Sequence, residues 1–315
     1  MRTFAVSTLR EPPFPAGRHD GTEQVARDSV NWAREHDLIP SGRRLDRLRR
    51  ADAAGLAGRA GPDAPLDRLR LLADLITWLF VMDDACDEDG LGATPTRLNP
   101  TVCGLLDVLD RHGAPGPPPP GAAELGVALD DLCRRVRARG RPATLLRFVA
   151  EMREYLLALL WEAGNREHRR VPPPDEYAQM RRHTGGVRPC LTLTDLALGV
   201  PPSADWRAAP DWVVLDLLAT DLVCWCNDVV SYGKEQHVAP DPHNLVTVLA
   251  AGDGDGEAAA LRAAAGRFNR GLDAFVRVER VLRADPAPGV DRALAVRCNW
   301  VRATYDWSLA VARYA

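Results

Sequence analysis

The segment Asp83-Asp84-Ala85-Cys86-Asp87-Glu88 closes an apolar run, Trp78-Leu79-Phe80-Val81-Met82. Far downstream stands Asn227-Asp228-Val229-Val230-Ser231-Tyr232-Gly233-Lys234-Glu235. Residues four apart share one face of a helix. Asp83 and Asp87 therefore fall together, and Asn227, Ser231 and Glu235 form one stripe. Two facing stripes of carboxylate, amide and hydroxyl oxygen suit hard divalent cations, and Mg2+ in such settings commonly shares its shell with substrate phosphates. The pattern points to metal-assisted chemistry on a diphosphate.

An acidic turn by itself ends many solvated helices. Here the acids directly follow an apolar helix, which turns them toward an interior rim, where carboxylates are costly unless cations neutralise them. The second stripe is the more telling one. Asn and Ser favour caps and turns over helix interiors, so their recurrence at steps of four serves no packing purpose.

The elements that must hold these stripes are helical. Leu69, Leu71, Leu72, Leu75, Ile76, Leu79 and Phe80 recur at helical intervals over Leu66–Asp84, and a helix apolar nearly all round belongs inside a fold. Asp211–Glu235 reads as a long helix carrying the second stripe. Further helices are expected over Glu23–His36, from Ser41 as N-cap to Ala54, and over Ala122–Arg139 and Ala143–Arg166. Pro172-Pro173-Pro174 stops that run, and the next helix is expected to start at Pro174 or Asp175 and run on through Ala178–Thr184. Others are expected over Leu191–Leu198, Ala258–Leu282 and Arg292–Ala312. Gly185-Gly186 breaks an apolar helical pattern, Gly90–Pro95 reads as a loop, and Gly113–Gly121 cannot be helix. Strand-like alternation is scarce. The expectation is an all-α protein of ten or more helices, with residues 1–20 as an extended arm and 21–315 as one domain.

The 315 residues carry a net charge of −3, so no basic field is present to hold nucleic acid or an anionic membrane. No run reaches a membrane span, and Met1–Phe14 lacks the apolar core of a signal peptide. A cytoplasmic protein is expected. The seven cysteines include no CxxC pair and read as free buried thiols. Arg far outnumbers Lys, as in GC-rich bacterial genomes. The Arg-rich stretch Arg43–Arg50 reads as a solvated face, and His243-Asn244 as a cap for the helix that follows.

Asp83-Asp84-x-x-Asp87 and Asn227-Asp228-x-x-Ser231-x-x-x-Glu235 resemble, in order and separation, the DDxxD and NDxxSxxxE motifs of bacterial class I terpene synthases. Arg181, 46 positions before Asn227, matches the family's diphosphate-sensing Arg. Thr184 and Gly185 match its linker and effector positions, although relatives often carry an acid where Thr184 stands. Arg313-Tyr314 matches a C-terminal Arg-Tyr pair.

The resemblance implies a single-domain class I terpenoid synthase bundle around a central cavity, cyclising a prenyl diphosphate. Farnesyl diphosphate is the expected substrate on family frequency. Three Mg2+ ions, replaceable by Mn2+, would be held by Asp83, Asp84 and Asp87 and by Asn227, Ser231 and Glu235. Asp83 is the expected direct ligand of the first motif. Arg181, Lys234, Arg313 and Tyr314 would donate to the diphosphate. Phe80 and Trp307 would face the carbocation, and Gly185 would assist ionisation. Family members are often homodimers. Three alternatives stand: geranyl or geranylgeranyl diphosphate as substrate, a chain-elongating prenyltransferase, and a helical prenyl-diphosphate binder without turnover. The Asn/Ser/Glu stripe argues against the prenyltransferase, which normally carries a second Asp-rich motif.

Overall fold

A computed structural model describes residues 8–117, 120–238, 242–253, 256–284 and 289–314, with the side chains of 236–238, 253 and 314 outside that description. Its described residues contain helices and no strand. The all-α reading therefore holds.

Helix α1 (Thr22–Glu35), α2 (Gly42–Ala51) and α3 (Ala53–Ala60) lead into α4 (Leu66–Asp87). α4 is the buried helix that the apolar pattern requires. Leu69, Leu71, Leu72, Ala73, Leu75, Ile76 and Trp78 are all buried, and α1, α3 and later helices pack around it. Trp78 is fully buried, and its indole N–H donates to Leu125 O at 2.9 Å, so its polar atom is satisfied. Truncating a fully buried leucine such as Leu72 to alanine would cost about 2–5 kcal/mol.

Next come α5 (Pro95–Asp110), α6 (Ala123–Arg139), α7 (Pro142–His168), α8 (Pro174–Thr184), α9 (Val187–Ala197) and the short α10 (Ala204–Ala208). The long α11 (Pro210–Val238), α12 (Leu245–Asp253), α13 (Glu257–Arg283) and α14 (Val290–Ala310) complete the set. α11 packs against α13 and α14, and a 3-10 turn, Ala312–Tyr314, ends the described chain. Residues 9–20 lie along this body without regular helix. Leu9 is buried, the Phe14 ring meets Phe275 edge-on at 5.6 Å, and His19 Nε2 lies 2.9 Å from Ala64 O.

Several boundaries differ from expectation. The helix expected from Ser41 to Ala54 is two helices. Asp52, at φ 46°, closes α2 in the left-handed region, and its carboxylate accepts from Gly55 N at 3.0 Å to cap α3. α4 runs one turn further than expected, through Asp87, which keeps the whole first motif helical. The Gly90–Pro95 loop contains a 3-10 turn (Leu91–Ala93), and α5 starts at Pro95 with Thr94 as its cap. α8 starts at Pro174, as expected, whereas α9 begins earlier than the apolar pattern indicated, at Val187. Part of Gly113–Gly121 lies outside the described residues, as does part of Gly252–Gly256, a stretch whose sequence reads as an exposed acidic loop although Gly252 itself belongs to α12. All seven cysteines are free, but Cys103 is exposed rather than buried.

Candidate active site

α4 and α11 end at the same mouth. Together with α7, α8, α9 and α14 they enclose a cavity of about 280 Å³. Its inner wall is apolar and aromatic: Leu56, Ile76, Phe80, Tyr155, Trp300 and Trp307. Its rim carries Asp83, Asp84, Asp87 and Glu88 from α4, and Asn227, Ser231, Lys234 and Glu235 from α11. Arg166, Arg181 and Arg313 complete the rim. The two sequence stripes thus converge on one opening. Thr184 and Gly185 also line it. Tyr314 lies in the terminal turn, with its side chain outside the description.

Each acid of the first motif is held by a cation from a different element. Arg313 Nη2 donates to Asp83 Oδ2 at 2.7 Å and to Asp84 Oδ1 at 3.0 Å. Arg166, on α7, donates to Asp87 at 2.5 Å. Glu88 accepts from Lys234 and from Arg47, each at 2.9 Å. Burial raises the Glu88 carboxyl, but the Lys234 and Arg47 hydrogen bonds outweigh it and hold the group at about 2. Asp84 shifts the other way: burial pushes it up, and Arg313 only partly offsets that.

Lys234 is the chain's only lysine, and it clasps the two motifs together. Arg47 corrects the reading of Arg43–Arg50 as a solvated face. It is 6% exposed and points from α2 into the acidic end of α4.

On α11, Arg181 Nη2 donates to Asn227 Oδ1 at 2.9 Å and Nε to Asp228 Oδ1 at 3.0 Å. Asp228 is fully buried and also accepts from Tyr177 OH at 2.6 Å and from Leu245 N at 3.2 Å. Burial lifts its carboxyl above the ordinary value, with Arg181 the chief opposing influence. Asp228 therefore faces inward and fixes Arg181 and the start of α12. Asn244 donates to Glu235 Oε2 at 2.7 Å and to Asp228 O at 2.8 Å, while its Oδ1 accepts from Val246 N. It caps α12 and steers Glu235 at once.

The helix break at Gly185-Gly186 has two local causes. A Cβ on Gly185 would lie 2.5 Å from Cys224 Sγ, and Gly186 sits at φ +63°. Thr184 Oγ1 is buried and makes no hydrogen bond, so the linker position forms no link to Arg181.

Ser231 Oγ tests whether a metal fits. It is buried without a hydrogen-bond partner, an arrangement that costs about 1–3 kcal/mol unless something fills the vacant valence. With Asn227 Oδ1 and the Glu235 carboxylate it forms an all-oxygen donor set suited to a hard divalent cation. Among the described residues no three of His, Cys, Asp and Glu converge as a preformed metal cage. A cation here would have to complete its shell from a ligand's oxygens. The residues fit a substrate-shared metal.

Sequence reasoning passed over Arg47 and Arg166, gave Asp228 no role of its own within the motif, and read His243-Asn244 only as a cap, which Asn244 is. A usable signal existed for Arg166, which follows Glu162 by four residues on a long helix with an apolar inner face.

The family model for "Terpene synthase family 2, C-terminal metal binding" matches residues 74–273. A 4-epi-cubebol synthase of Streptosporangium roseum, described as cyclising (2E,6E)-farnesyl diphosphate, is 31% identical over 314 residues. The match covers 96% of this chain and 90% of that protein. A (12E)-labda-8(17),12,14-triene synthase of Streptomyces cyslabdanicus is 31% identical, with 98% and 94% covered. The crystal structure of SVS_A2, a protein from ancestral sequence reconstruction, superposes with a TM-score of 0.86 at 24% identity, covering 96% of this chain and 90% of that one. That last likeness speaks to the fold. The chain belongs to the terpene synthase family and is a class I terpene synthase.

Proposed function

We propose that this synthase ionises and cyclises farnesyl diphosphate in a Mg2+-dependent reaction, releasing diphosphate and a terpene hydrocarbon or alcohol. The observation that carries this reading is the cavity itself: oxygen donors and four cations at the mouth, aromatic and aliphatic walls within.

Asp83, with Asp84 and Asp87 on the same turns, and Asn227, Ser231 and Glu235 are the residues that would hold Mg2+, three ions by family resemblance. Bound there, Mg2+ would neutralise the charge developing on the leaving diphosphate, so that the allylic C–O bond can ionise. Arg181, Lys234 and Arg313, with Tyr314 beside it, donate hydrogen bonds to the same diphosphate. Arg166 lines the same rim and adds a fourth guanidinium or ammonium group. To do so, these cations leave the carboxylates and amide that now hold them.

Deeper in, Phe80, Trp300 and Trp307 present ring faces to the carbocation and exclude water. Gly185 keeps the helix break that shapes this wall. The cavity volume lies just below the roughly 300–1,000 Å³ usual for ligand pockets. The choice of farnesyl diphosphate follows the similarity to the 4-epi-cubebol synthase, described as cyclising that substrate. The similarity to a labdatriene synthase, named for a twenty-carbon product skeleton, keeps twenty-carbon diphosphates as the second class of substrate to assay.

The test is gas chromatography–mass spectrometry on purified protein given geranyl, farnesyl and geranylgeranyl diphosphate, with and without Mg2+. A cyclic product from farnesyl diphosphate only when Mg2+ is present supports the proposal. Condensation with isopentenyl diphosphate would redirect it to chain elongation, and no diphosphate release from any substrate would leave a non-catalytic binder.

A further inference from the structure

The α2–α3 corner lies outside both metal motifs, yet it touches the cavity wall in two ways. Leu56, on the first turn of α3, lines the cavity directly. Asp52, at the corner itself, accepts a hydrogen bond on its backbone carbonyl from Trp307 Nε1 at 3.2 Å. Trp307 stacks on Phe80, with ring centroids 5.8 Å apart and planes 13° from parallel. Arg313 lies over the other ring, Phe80, at 4.8 Å and bonds Asp83 and Asp84. One contact chain therefore runs from the corner, through both aromatic walls, to the ionisation rim. The neighbouring packing agrees: α3 lies along α14, and α2 meets the terminal 3-10 turn.

The corner is built for a fixed geometry. Asp52 occupies φ 46°, ψ 52°, where few residues other than Gly, Asn and Asp are comfortable. Its side chain locks that conformation by accepting from Gly55 N. The lock requires glycine at position 55, because a Cβ there would fall 1.9 Å from Asp52 Oδ2. The direction of the Asp52 carbonyl, and hence the tilt of Trp307, follows from these restraints.

We propose that Asp52 is a positioning residue that sets the Trp307–Phe80 wall and so determines product specificity without taking part in ionisation. The inference rests on the cyclase reading above. The wall is the surface against which the carbocation folds, and a small tilt of a stacked indole changes which carbons approach each other.

The test compares Asp52→Ala, Asp52→Asn and wild type by product analysis and by the rate of diphosphate release, with the substrate the wild type accepts. Asp52→Ala should cut the main product's share at least two-fold while diphosphate release changes by less than about three-fold. Asp52→Asn, which tolerates the left-handed region and can cap α3, should restore the wild-type proportions. In a Trp307→Phe background, which keeps a ring but lacks the donor, adding Asp52→Ala should produce no further shift.

Wild-type proportions in Asp52→Ala with only a lower melting temperature would overturn the proposal, leaving a plain helix cap. Fully additive shifts in the double variant would overturn it too. Should Asp52→Ala not fold, Asp52→Gly, which reaches the left-handed region but lacks the side-chain lock, takes its place: wild-type proportions there contradict the proposal, and altered ones support it. A wild type that releases no diphosphate would instead defeat the cyclase reading, and the two failures are distinct.

Discussion

Ser231 separates a metal role from a structural one better than any other residue of the stripe. Asn227 and Glu235 are already engaged by Arg181 and Asn244, so replacing either disturbs a packed network. The Ser231 hydroxyl is buried and bonds nothing, so Ser231→Ala removes an unsatisfied atom. Its melting temperature should equal or exceed that of wild type, while diphosphate release falls by at least the roughly 100-fold that disturbing a metal's outer shell can cost. Full turnover in Ser231→Ala would remove this residue from the donor set.

Glu151 gives a second residue-level prediction, remote from the rim. Burial pushes its carboxyl up to about 7, against the opposing influence of Arg147 and Thr192. The folded state then binds more protons than the unfolded chain between the ordinary value of 4.5 and about 7. The group's contribution to stability is complete below about 4.5 and disappears as pH rises through about 7. Glu151→Gln should therefore gain melting temperature relative to wild type across that interval. Parallel melting curves would show that Glu151 stays ionised in the fold.

At the level of elements, the α8–α9 break depends on space as much as on backbone freedom. Gly185→Ala forces a Cβ against Cys224 Sγ and should cost about 1–3 kcal/mol of stability together with most of the turnover. Cys224→Ala opens room on the opposite helix, so the double variant should recover much of both, read by thermal melts and diphosphate release. No recovery would place the strain elsewhere.

Periodicity made the long helices legible, because α4 and α11 bury nearly continuous apolar surface. It missed α5, whose Pro95 and Pro100 look like breakers although Pro95 sits at the first helical position, where its missing N–H costs nothing. It also ran α2 into α3, because one left-handed residue changes direction without changing composition. The motif positions at the mouth were legible from spacing of four along single helices. Their partners were not. Arg47 and Arg166 come from other helices and Asn244 from the cap of α12, and only tertiary packing brings them to the acids.

Across the whole molecule, Arg313, Arg166 and Arg181 occupy oxygens that metals would take, Lys234 holds Glu88 beside them, and all four face the mouth that a diphosphate would enter. Metal and diphosphate should therefore bind cooperatively, each releasing the groups the other needs. Because Lys234 is the only lysine, 13Cε-lysine labelling yields one side-chain resonance that reports the clasp to Glu88. Mg2+ alone or inorganic pyrophosphate alone should barely move it, and the two together should shift it. In calorimetry, pyrophosphate should tighten Mg2+ binding at least ten-fold. Equal Mg2+ affinity with and without pyrophosphate would mean that the rim cations do not compete.

The cavity is proposed to turn a prenyl diphosphate into a cyclic terpene with metal assistance. Purified protein incubated with farnesyl diphosphate, with Mg2+ or with excess chelator, and analysed by gas chromatography–mass spectrometry alongside a diphosphate assay, tests it most directly. With Mg2+ the expected result is a cyclic fifteen-carbon product and stoichiometric diphosphate, and with chelator neither. Diphosphate release or product that persists undiminished in chelator, or no turnover of any prenyl diphosphate with Mg2+, would contradict it.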